Sequence, residues 1–534
     1  MLLVGPYDPH GGEYTFLAPP LGVWRLAGVL GAAGVRAEVF DPNCCAGEPQ
    51  RALERELLRE PWDVVGISTT GMTLRFDLEL AHLVRRVTPR ALLIAGGMEA
   101  TFRPEQMFRL GPFDRVVLGE GERPLLELAG RLRSNAPLTG IAGVVEPLPD
   151  GGLLRIPQRA MSAAELRDAI FKIPYERMPY RSYWERLERA YGTHALPSKA
   201  AREAKLAEIR SVRLITLNYC PMACSFCSST NFLHEAQGSV AGVARLEAED
   251  CLRMLQRIVA AHPDVRTVFF QDDIFAFTRD RRLLPLCEGI IEAKRTGQLP
   301  RTLQFISTNR IDAMTFERMA AMRAAGFRVL GFGIENFSLP VLREFNKGHI
   351  HPHIAPMLST ALQLGITPFL DLILTSPRCH LDDLAETLRQ AHHWLRAGCE
   401  IGMYPYVVPF SGAAFARDPS LASQTIHARQ RVAGTAIEWD QPSKILPLDT
   451  DAREAILRIE RDFETLLAEM QQRSPHLPSR VRSLLWLLAS LPTMADYGYR
   501  IGDAAGLRAQ LRAWLPREPA ASSAPRVTAA VATA

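Results

Sequence analysis

Twice along the chain, short aliphatic strand-like runs alternate with amphipathic stretches, and this alternation narrows the possible folds more than any other feature. The first series spans residues 1–135. Its strand-like runs are Leu2–Val4, Ala37–Phe40, Val64–Ser68, Leu92–Ala95 and Arg115–Leu118, with helix-like stretches such as Leu21–Ala33 and Leu74–Val87 between them. Apolar strands separated by helices imply a parallel sheet covered on both faces, because each helix buries its apolar stripe against the sheet. Glycine-bearing turns follow several strands: Gly5, Gly71, Gly96-Gly97 and Gly119-Glu120-Gly121. In a doubly wound, Rossmann-like fold ligands bind beyond the carboxyl ends of the strands, so a cofactor is expected there.

A hairpin is expected over 140–157, turning at Pro149-Asp150-Gly151-Gly152. A linker without clear periodicity follows over about 160–208. The second series then runs Arg213–Leu217, Thr267–Phe270, Leu303–Ser307, Val329–Gly333, Phe369–Leu374 and Gly402–Val407. Six such units predict a partial (β/α)6 barrel with its active site at the strands' C-terminal ends. From about residue 416 the pattern is mainly helical, with Ala452–Gln471 the clearest amphipathic stretch. The segment Glu518–Ala534, rich in Ala, Ser, Pro and Thr, is expected to be disordered. The α/β organisation expected is therefore a doubly wound domain (1–140), hairpin and linker (141–208), barrel (209–415), helical carboxy-terminal region (416–514) and tail (515–534).

Lys plus Arg exceed Asp plus Glu by 62 − 58 = 4, too small an excess to argue for nucleic acid. The amino terminus has no secretory pattern, and the most apolar run, Leu484–Leu491, falls far short of the roughly 20 residues that span a bilayer. A cytoplasmic protein with no integral membrane segment is expected. Nine cysteines in 534 residues do not make a disulfide framework.

Three of those cysteines stand together, in Asn218-Tyr219-Cys220-Pro221-Met222-Ala223-Cys224-Ser225-Phe226-Cys227, directly after a predicted strand. Thiolates spaced C-x3-C-x2-C on one loop can wrap one face of a cubane, giving a [4Fe-4S] cluster three protein ligands and one open iron. An open position marks a catalytic metal site. Phe226 is placed to exclude water from the cluster. Zinc is the alternative, but it normally takes four ligands in two pairs, and the nearest further cysteine, Cys251, has no pair motif.

This loop resembles the signature of the radical S-adenosylmethionine (SAM) superfamily, and the resemblance extends over about 210–412. It implies that the open iron chelates SAM, whose reductive cleavage gives a 5′-deoxyadenosyl radical. It also implies roles for residues at the strand ends. Gln271, Asp272 and Asp273 follow the second strand, where acidic groups would receive the SAM ammonium; surface acids of a turn are the lesser alternative. Ser307, Asn309 and Arg310 end the third strand and would bind ribose hydroxyls or the SAM carboxylate, or else cap a helix. Glu335, in Gly331-Phe332-Gly333-Ile334-Glu335-Asn336, is a further acceptor, and Asn346-Lys347-Gly348 strengthens the resemblance.

Residues 1–135 resemble the cobalamin-binding domains fused ahead of many radical SAM barrels. The residues that carry this are Pro20, Leu21 and Gly22; Ser68, Thr69 and Thr70; Gly96 and Gly97 with Glu99 beyond them; and Gly119, Glu120 and Gly121. The resemblance implies that Gly96-Gly97 approach the corrin tail and that Ser68–Thr70 bond its nucleotide loop. The Asp-x-His-x-x-Gly motif, whose histidine ligates cobalt in cobalamin mutases, is incomplete at Asp8-Pro9-His10-Gly11-Gly12-Glu13. Met98 and Glu99 stand where related fused proteins often carry histidine, which leaves the lower face of cobalt open. The function implied is methylation of an unactivated carbon in a small-molecule substrate, with an electron donor such as flavodoxin or ferredoxin. Cyclisation, oxidation or rearrangement with the same cofactors is the second reading, and a non-catalytic corrinoid or redox sensor the third.

Overall fold

The computed structural model describes residues 1–10, 17–45, 47–196, 198–473 and 477–514. The expected tail 515–534 lies outside the described residues, as do Gly11–Glu13 of the incomplete histidine motif. The chain forms two compact units. The first comprises Met1–Arg328, Phe410–Arg417 and Gln430–Glu438; the second comprises Val329–Pro409, Asp418–Arg429 and the residues from Trp439 onward.

The first unit begins with the expected doubly wound sheet. Its strands are β1 (Leu2–Val4), β2 (Glu38–Phe40), β3 (Val64–Thr69), β4 (Leu92–Gly97) and β5 (Arg115–Val117), followed by β6 (Val144–Pro147) and β7 (Leu153–Arg155). The order is β2-β1-β3-β4-β5-β6-β7. β1 to β5 are parallel, and the predicted hairpin adds β6 and β7 antiparallel at one edge. Every residue of the parallel strands is buried or half-buried, as suits a sheet with helices on both faces. Leu3, Val64, Ile94 and Val117 pack with Val23, Ala27 and Leu30 of the helix Leu21–Ala32 into one core cluster.

The segment expected to be an aperiodic linker is helical instead: Ala163–Phe171, Tyr180–Ala190 and Lys199–Ile209. Ser162 and Glu165 form a capping box at the first of these, a signal present in the sequence. The linker covers a strand edge. β8 (Ser211–Leu214) pairs with β9 (Thr267–Phe270) on one side. On the other, the Tyr180 hydroxyl accepts from Arg213 N at 3.1 Å, while the Tyr175 hydroxyl donates to Arg213 O at 2.8 Å. Trp184 Nε1 donates to Ser211 O at 3.1 Å. Three linker aromatics thus satisfy edge groups that would otherwise be open to pairing with another chain.

β10 (Gln304–Asn309) completes the parallel strands of the first unit, paired to β9. Phe270, Phe275, Phe305 and Phe327 stack beneath, with ring centroids 4.4 to 6.0 Å apart. The second unit carries β11 (Phe327–Glu335, from Val329 on), β12 (Thr367–Ile373) and β13 (Glu400–Tyr404), with β12 parallel to both neighbours. All six predicted barrel strands are present. The region from 416 is less helical than its composition suggested: strands Thr425–Arg431 and Glu438–Ile445 precede the helices Thr450–Arg473, Ser479–Asp496 and Ala504–Trp514. No helix among the described residues is long and apolar enough to cross a membrane.

One fully buried acid holds the loops at the carboxyl end of the first sheet. Asp77 accepts hydrogen bonds from Tyr7 N (2.9 Å) after β1, and from Thr70 N (3.3 Å) and the Thr73 hydroxyl (2.7 Å) after β3. Burial outweighs these bonds and pushes its carboxyl up to about 8 from 3.8. The native state therefore holds a proton that the unfolded chain gives up. The stabilisation this supplies is greatest below pH 3.8 and is lost as pH rises through about 8. The thermal midpoint of the wild type is expected to fall between about pH 6 and pH 9 more steeply than that of Asp77→Asn. Equal slopes in scanning calorimetry would show that Asp77 is ionised throughout.

Candidate functional site

The cysteine loop leaves the end of β8 and returns in the helix Ser229–Gln237. Cys220, Cys224 and Cys227 are half-buried and form no disulfide. The loop is folded back on itself by Cys224 N to Met222 O (2.8 Å) and Cys227 N to Cys224 O (3.2 Å). The Thr230 hydroxyl lies 2.9 Å from Cys220 O and 2.7 Å from Met222 O, stapling the loop to the helix. Burial pushes the Cys227 thiol up to about 12, so any metal held there would have to displace its proton. No three or more His, Cys, Asp or Glu among the described residues converge as ligands of a single ion. A cubane spreads its thiolates over separate iron corners, so this donor set fits a cluster better than zinc. Phe226, next to Cys227 in sequence, is half-buried.

The acidic run after β9 divides into unlike roles. Asp272 is 3% exposed and accepts from Thr216 N (2.6 Å), Leu217 N (2.9 Å) and the Thr216 hydroxyl. Its oxygens are spent on fixing β8, which corrects its expected role as an acceptor for SAM. Asp273 is exposed and accepts from the Ser229 hydroxyl. Gln271 donates its backbone N–H to Leu214 O at 2.8 Å, and its half-buried side chain immediately precedes the two acids in sequence.

Beyond β10, Ser307 is fully buried and accepts from Asn309 Nδ2 at 2.9 Å. Asn309 Oδ1 is a buried acceptor with no partner among the described residues. Such an orphan is costly unless a ligand donor meets it, and a ribose hydroxyl has that chemistry. Arg310 departs from expectation: its fork is bidentate on Asp312 (2.9 and 2.6 Å), and Nη1 lies 2.7 Å from Met222 Sδ in the cysteine loop. A guanidinium so engaged braces the loop rather than waiting for a carboxylate.

In the second unit, Glu335 has φ 65° at an irregularity of β11 and accepts from Lys347 Nζ at 2.9 Å. Lys347 also donates to Gly333 O at 2.6 Å. Asp371 of β12, pushed up to about 7 by burial and then by Glu335, belongs with them. It pairs in register with Gly333 and Gly402, so no side chain flanks its carboxylate in that row. Tyr404 extends the same face and is 55% exposed. Asp371 and Tyr404 escaped the sequence reading, although an acid inside an otherwise apolar strand was visible in Phe369-Leu370-Asp371-Leu372-Ile373.

At the first sheet the expected cobalamin residues also separate. Pro20 starts the helix Leu21–Ala32, Leu21 is buried beneath it, and Gly22 is exposed with open space above. Ser68, Thr70 and Gly96 are half-buried at the strand ends, and nothing would meet a Cβ on Gly96. Gly97 has φ 101°, and a Cβ there would lie 2.5 Å from Thr69 O. These positions leave the backbone bare at a strand end and fit a flat, hydrogen-bonding cofactor.

Others are engaged within the protein. Thr69 is fully buried, donating to Gly96 O (3.0 Å) and accepting from Ala100 N (3.2 Å). Gly119 has φ 63°, and a Cβ there would sit 2.6 Å from Ala236 Cβ, so its smallness serves helix packing. Glu120 accepts from Met161 N (2.7 Å), and a Cβ on Gly121 would meet Leu26 at 3.2 Å. Glu99 is 4% exposed, bonded by the Ser411 hydroxyl at 2.9 Å and 3.6 Å from Arg103. His10 packs edge-on to Phe76, with ring centroids 5.8 Å apart.

Residues 9–129 match the family model of the B12 binding domain, and residues 214–391 match that of the radical SAM superfamily. An uncharacterized methyltransferase of Pyrococcus horikoshii is 22% identical over 353 residues, covering 66% of this chain and 68% of that one. The anaerobic magnesium-protoporphyrin IX monomethyl ester cyclase of Rubrivivax gelatinosus is 22% identical over 404 residues, 74% of this chain and 66% of the relative. Among solved structures, the radical SAM methyltransferase TsrM of Kitasatospora setae, with cobalamin and a [4Fe-4S] cluster bound, superposes with TM-score 0.59. It is 15% identical and covers 84% of this chain and 82% of its own. With both domain models in order and the cysteine loop where the second requires it, the chain belongs to the radical SAM enzymes that carry an amino-terminal cobalamin-binding domain.

Proposed function

We propose that the protein is a cobalamin-dependent radical SAM C-methyltransferase acting on an unactivated carbon of a small molecule. The observation that carries this reading is the C-x3-C-x2-C loop at the end of β8, in a chain whose first sheet matches the B12 binding domain. The cofactors supply the difficult chemistry: a cluster to cleave SAM, and a corrin to carry methyl. The chain's part is to bind and orient them. Cys220, Cys224 and Cys227 would hold the cluster, with Phe226 limiting water. Asp273, through the oxygen not bonded to Ser229, would take the SAM ammonium, with Gln271 beside it and Asn309 Oδ1 accepting from ribose. In the second unit, Glu335, held by Lys347, is proposed as a further acceptor. Ser68, Thr70, Gly96 and Gly97 would line the cobalamin tail. A cytoplasmic flavodoxin or ferredoxin is the class of donor that would reduce the cluster.

Reaction type is decided by products. Incubated anaerobically with SAM, reductant and substrate, a methyltransferase releases both 5′-deoxyadenosine and S-adenosylhomocysteine. Deoxyadenosine alone would favour the cyclase-like reading, which the Rubrivivax gelatinosus relative keeps in view. Neither product would leave a sensor.

Reconstituted protein is expected to hold about four irons per chain, with a broad charge-transfer band. Replacing Cys220, Cys224 and Cys227 together with alanine should abolish the band and SAM cleavage; a triple variant that keeps its iron would refute the ligand assignment. The remaining cysteines should be individually dispensable.

Cobalamin is expected to bind base-off with no histidine on cobalt, since Met98 and Glu99 follow Gly97 and His10 lies against Phe76. Electron paramagnetic resonance of the Co(II) form should then show cobalt lines without threefold nitrogen splitting, unchanged in His10→Ala. Splitting that disappears in His10→Ala would make His10 the lower ligand.

A further inference from the structure

The last cysteine of the loop accepts a hydrogen bond that its motif does not encode. Ser229 begins the helix Ser229–Gln237, and its backbone N–H donates to Cys227 Sγ at 3.4 Å. The Ser229 hydroxyl donates to Asp273 Oδ2, on the loop after β9 and 44 residues away. The preceding Ser228 makes no side-chain cap, so this helix start is not fixed by its own N-cap residue. It is fixed from outside, by Asp273 on Ser229 and by the Thr230 hydroxyl on the cysteine loop. The acid and the sulfur are therefore joined through a single residue, one on its hydroxyl and the other on its amide.

We propose that Ser229 is a positioning residue for the cluster: anchored on Asp273, it aims its amide at the Cys227 sulfur and so sets the cluster's reduction potential. This rests on the reading of Cys220, Cys224 and Cys227 as cluster ligands. Hydrogen bonds to ligating sulfurs are among the levers by which a protein tunes an iron–sulfur centre. An N–H directed at a thiolate stabilises negative charge, favours the reduced cluster and raises its potential. The Asp273 carboxylate is close enough to act on Cys227 electrostatically, and its charge opposes the added electron. The two partners of Ser229 thus pull in opposite directions: the anchor makes reduction harder by its charge and easier by the amide it positions. A purely structural helix cap would give no such pair of signs.

The test is a redox titration of the anaerobically reconstituted full chain without SAM, with iron content and the electron paramagnetic resonance signal of the reduced cluster recorded beside it. Ser229→Ala frees the amide from its anchor. Iron should stay at the wild-type level while the potential becomes more negative, by roughly tenfold in the reduction equilibrium, or about 59 mV for one electron. Ser229→Thr keeps a hydroxyl and should restore the wild-type potential. Asp273→Asn keeps an acceptor for the hydroxyl but removes the charge, and should shift the potential to less negative values. Full iron with unchanged potentials in Ser229→Ala and Asp273→Asn, or shifts of the same sign in both, would overturn the proposal. If Ser229→Ala cannot hold iron, the sign in Asp273→Asn decides: less negative supports the proposal, unchanged or more negative defeats it. A wild type without a four-iron cluster would instead defeat the ligand assignment itself.

Discussion

A catalytic loop on a strand end is only as well placed as the strand itself, and here a single buried carboxylate fixes that end. Asp272 takes the amides of Thr216 and Leu217 at 2.6 and 2.9 Å, the last residues before the cysteine loop begins. Arg282, 3% exposed, completes the arrangement by donating to Thr216 Oγ1 (2.7 Å), Phe275 O (2.7 Å) and Leu246 O (3.2 Å). Burial pushes the Asp272 carboxyl up to about 6, and Arg282 pulls it back. Taking both ions out of water costs several kcal/mol each, and the cost is offset by the partners that all their polar atoms but Arg282 Nε find. Removing Asp272 would strand the two amides it holds, whereas Arg282 would keep a second acid, Asp280, 4.0 Å from its Nε. β8 also depends on the linker tyrosines for its outer edge, so the loop's point of departure is held from two sides.

This dependence explains why much of the site could be read from sequence and why some could not. Strands buried on both faces announce themselves as short apolar runs, and all eleven expected in the two series appear. Cys220, Cys224 and Cys227 carry their chemistry in local spacing. Asp272 and Asp273 are adjacent and chemically identical, yet one is buried in the strand's support and the other lies exposed beside the cysteine loop. Only the path of the chain at Thr216 and Ser229 distinguishes them. Likewise Gly119-Glu120-Gly121 looks like a ligand turn, but Ala236, 117 residues after Gly119, explains the first glycine. A glycine records that something comes close, not what it is.

The helical linker was missed for a related reason. Its helices are short, and the buried face of the middle one, Tyr180–Ala190, is built from Tyr180, Tyr183 and Trp184 rather than aliphatic residues, which blurs the apolar period. Aromatics with a polar tip suit the task there, since each offers both packing area and a hydrogen bond to the edge of β8 or to a neighbouring acid. Tyr183 illustrates the second use, donating to Asp41 Oδ2 at 2.8 Å, just beyond β2. Burial raises Asp41 to about 6, and burial followed by the nearby acid holds the Tyr183 phenol well above its ordinary value.

The segment Phe410–Arg417 joins parts of the first unit that are distant in sequence. The Ser411 hydroxyl donates to Glu99, on the helix that follows Gly97. One residue on, Gly412 lies against the Phe102 ring so closely that a Cβ would fall 2.2 Å from it, and its carbonyl accepts from Asn231 Nδ2 at 2.6 Å. Phe415 N then donates to Ser225 O, between the second and third cysteines, at 3.0 Å. Arg417 ends the run on Glu235 at 3.0 Å. Within seven residues the chain touches the first sheet's strand-end helix, the cysteine loop and the helix after it. Phe102 and Phe232 meet edge-on beside it, with centroids 6.4 Å apart. Packed interiors do not deform continuously, so neither loop can move far without this segment shifting or breaking a bond. Glu99 and Gly412 are 313 residues apart in sequence and carry no motif in common; their roles follow from this one crossing of the chain.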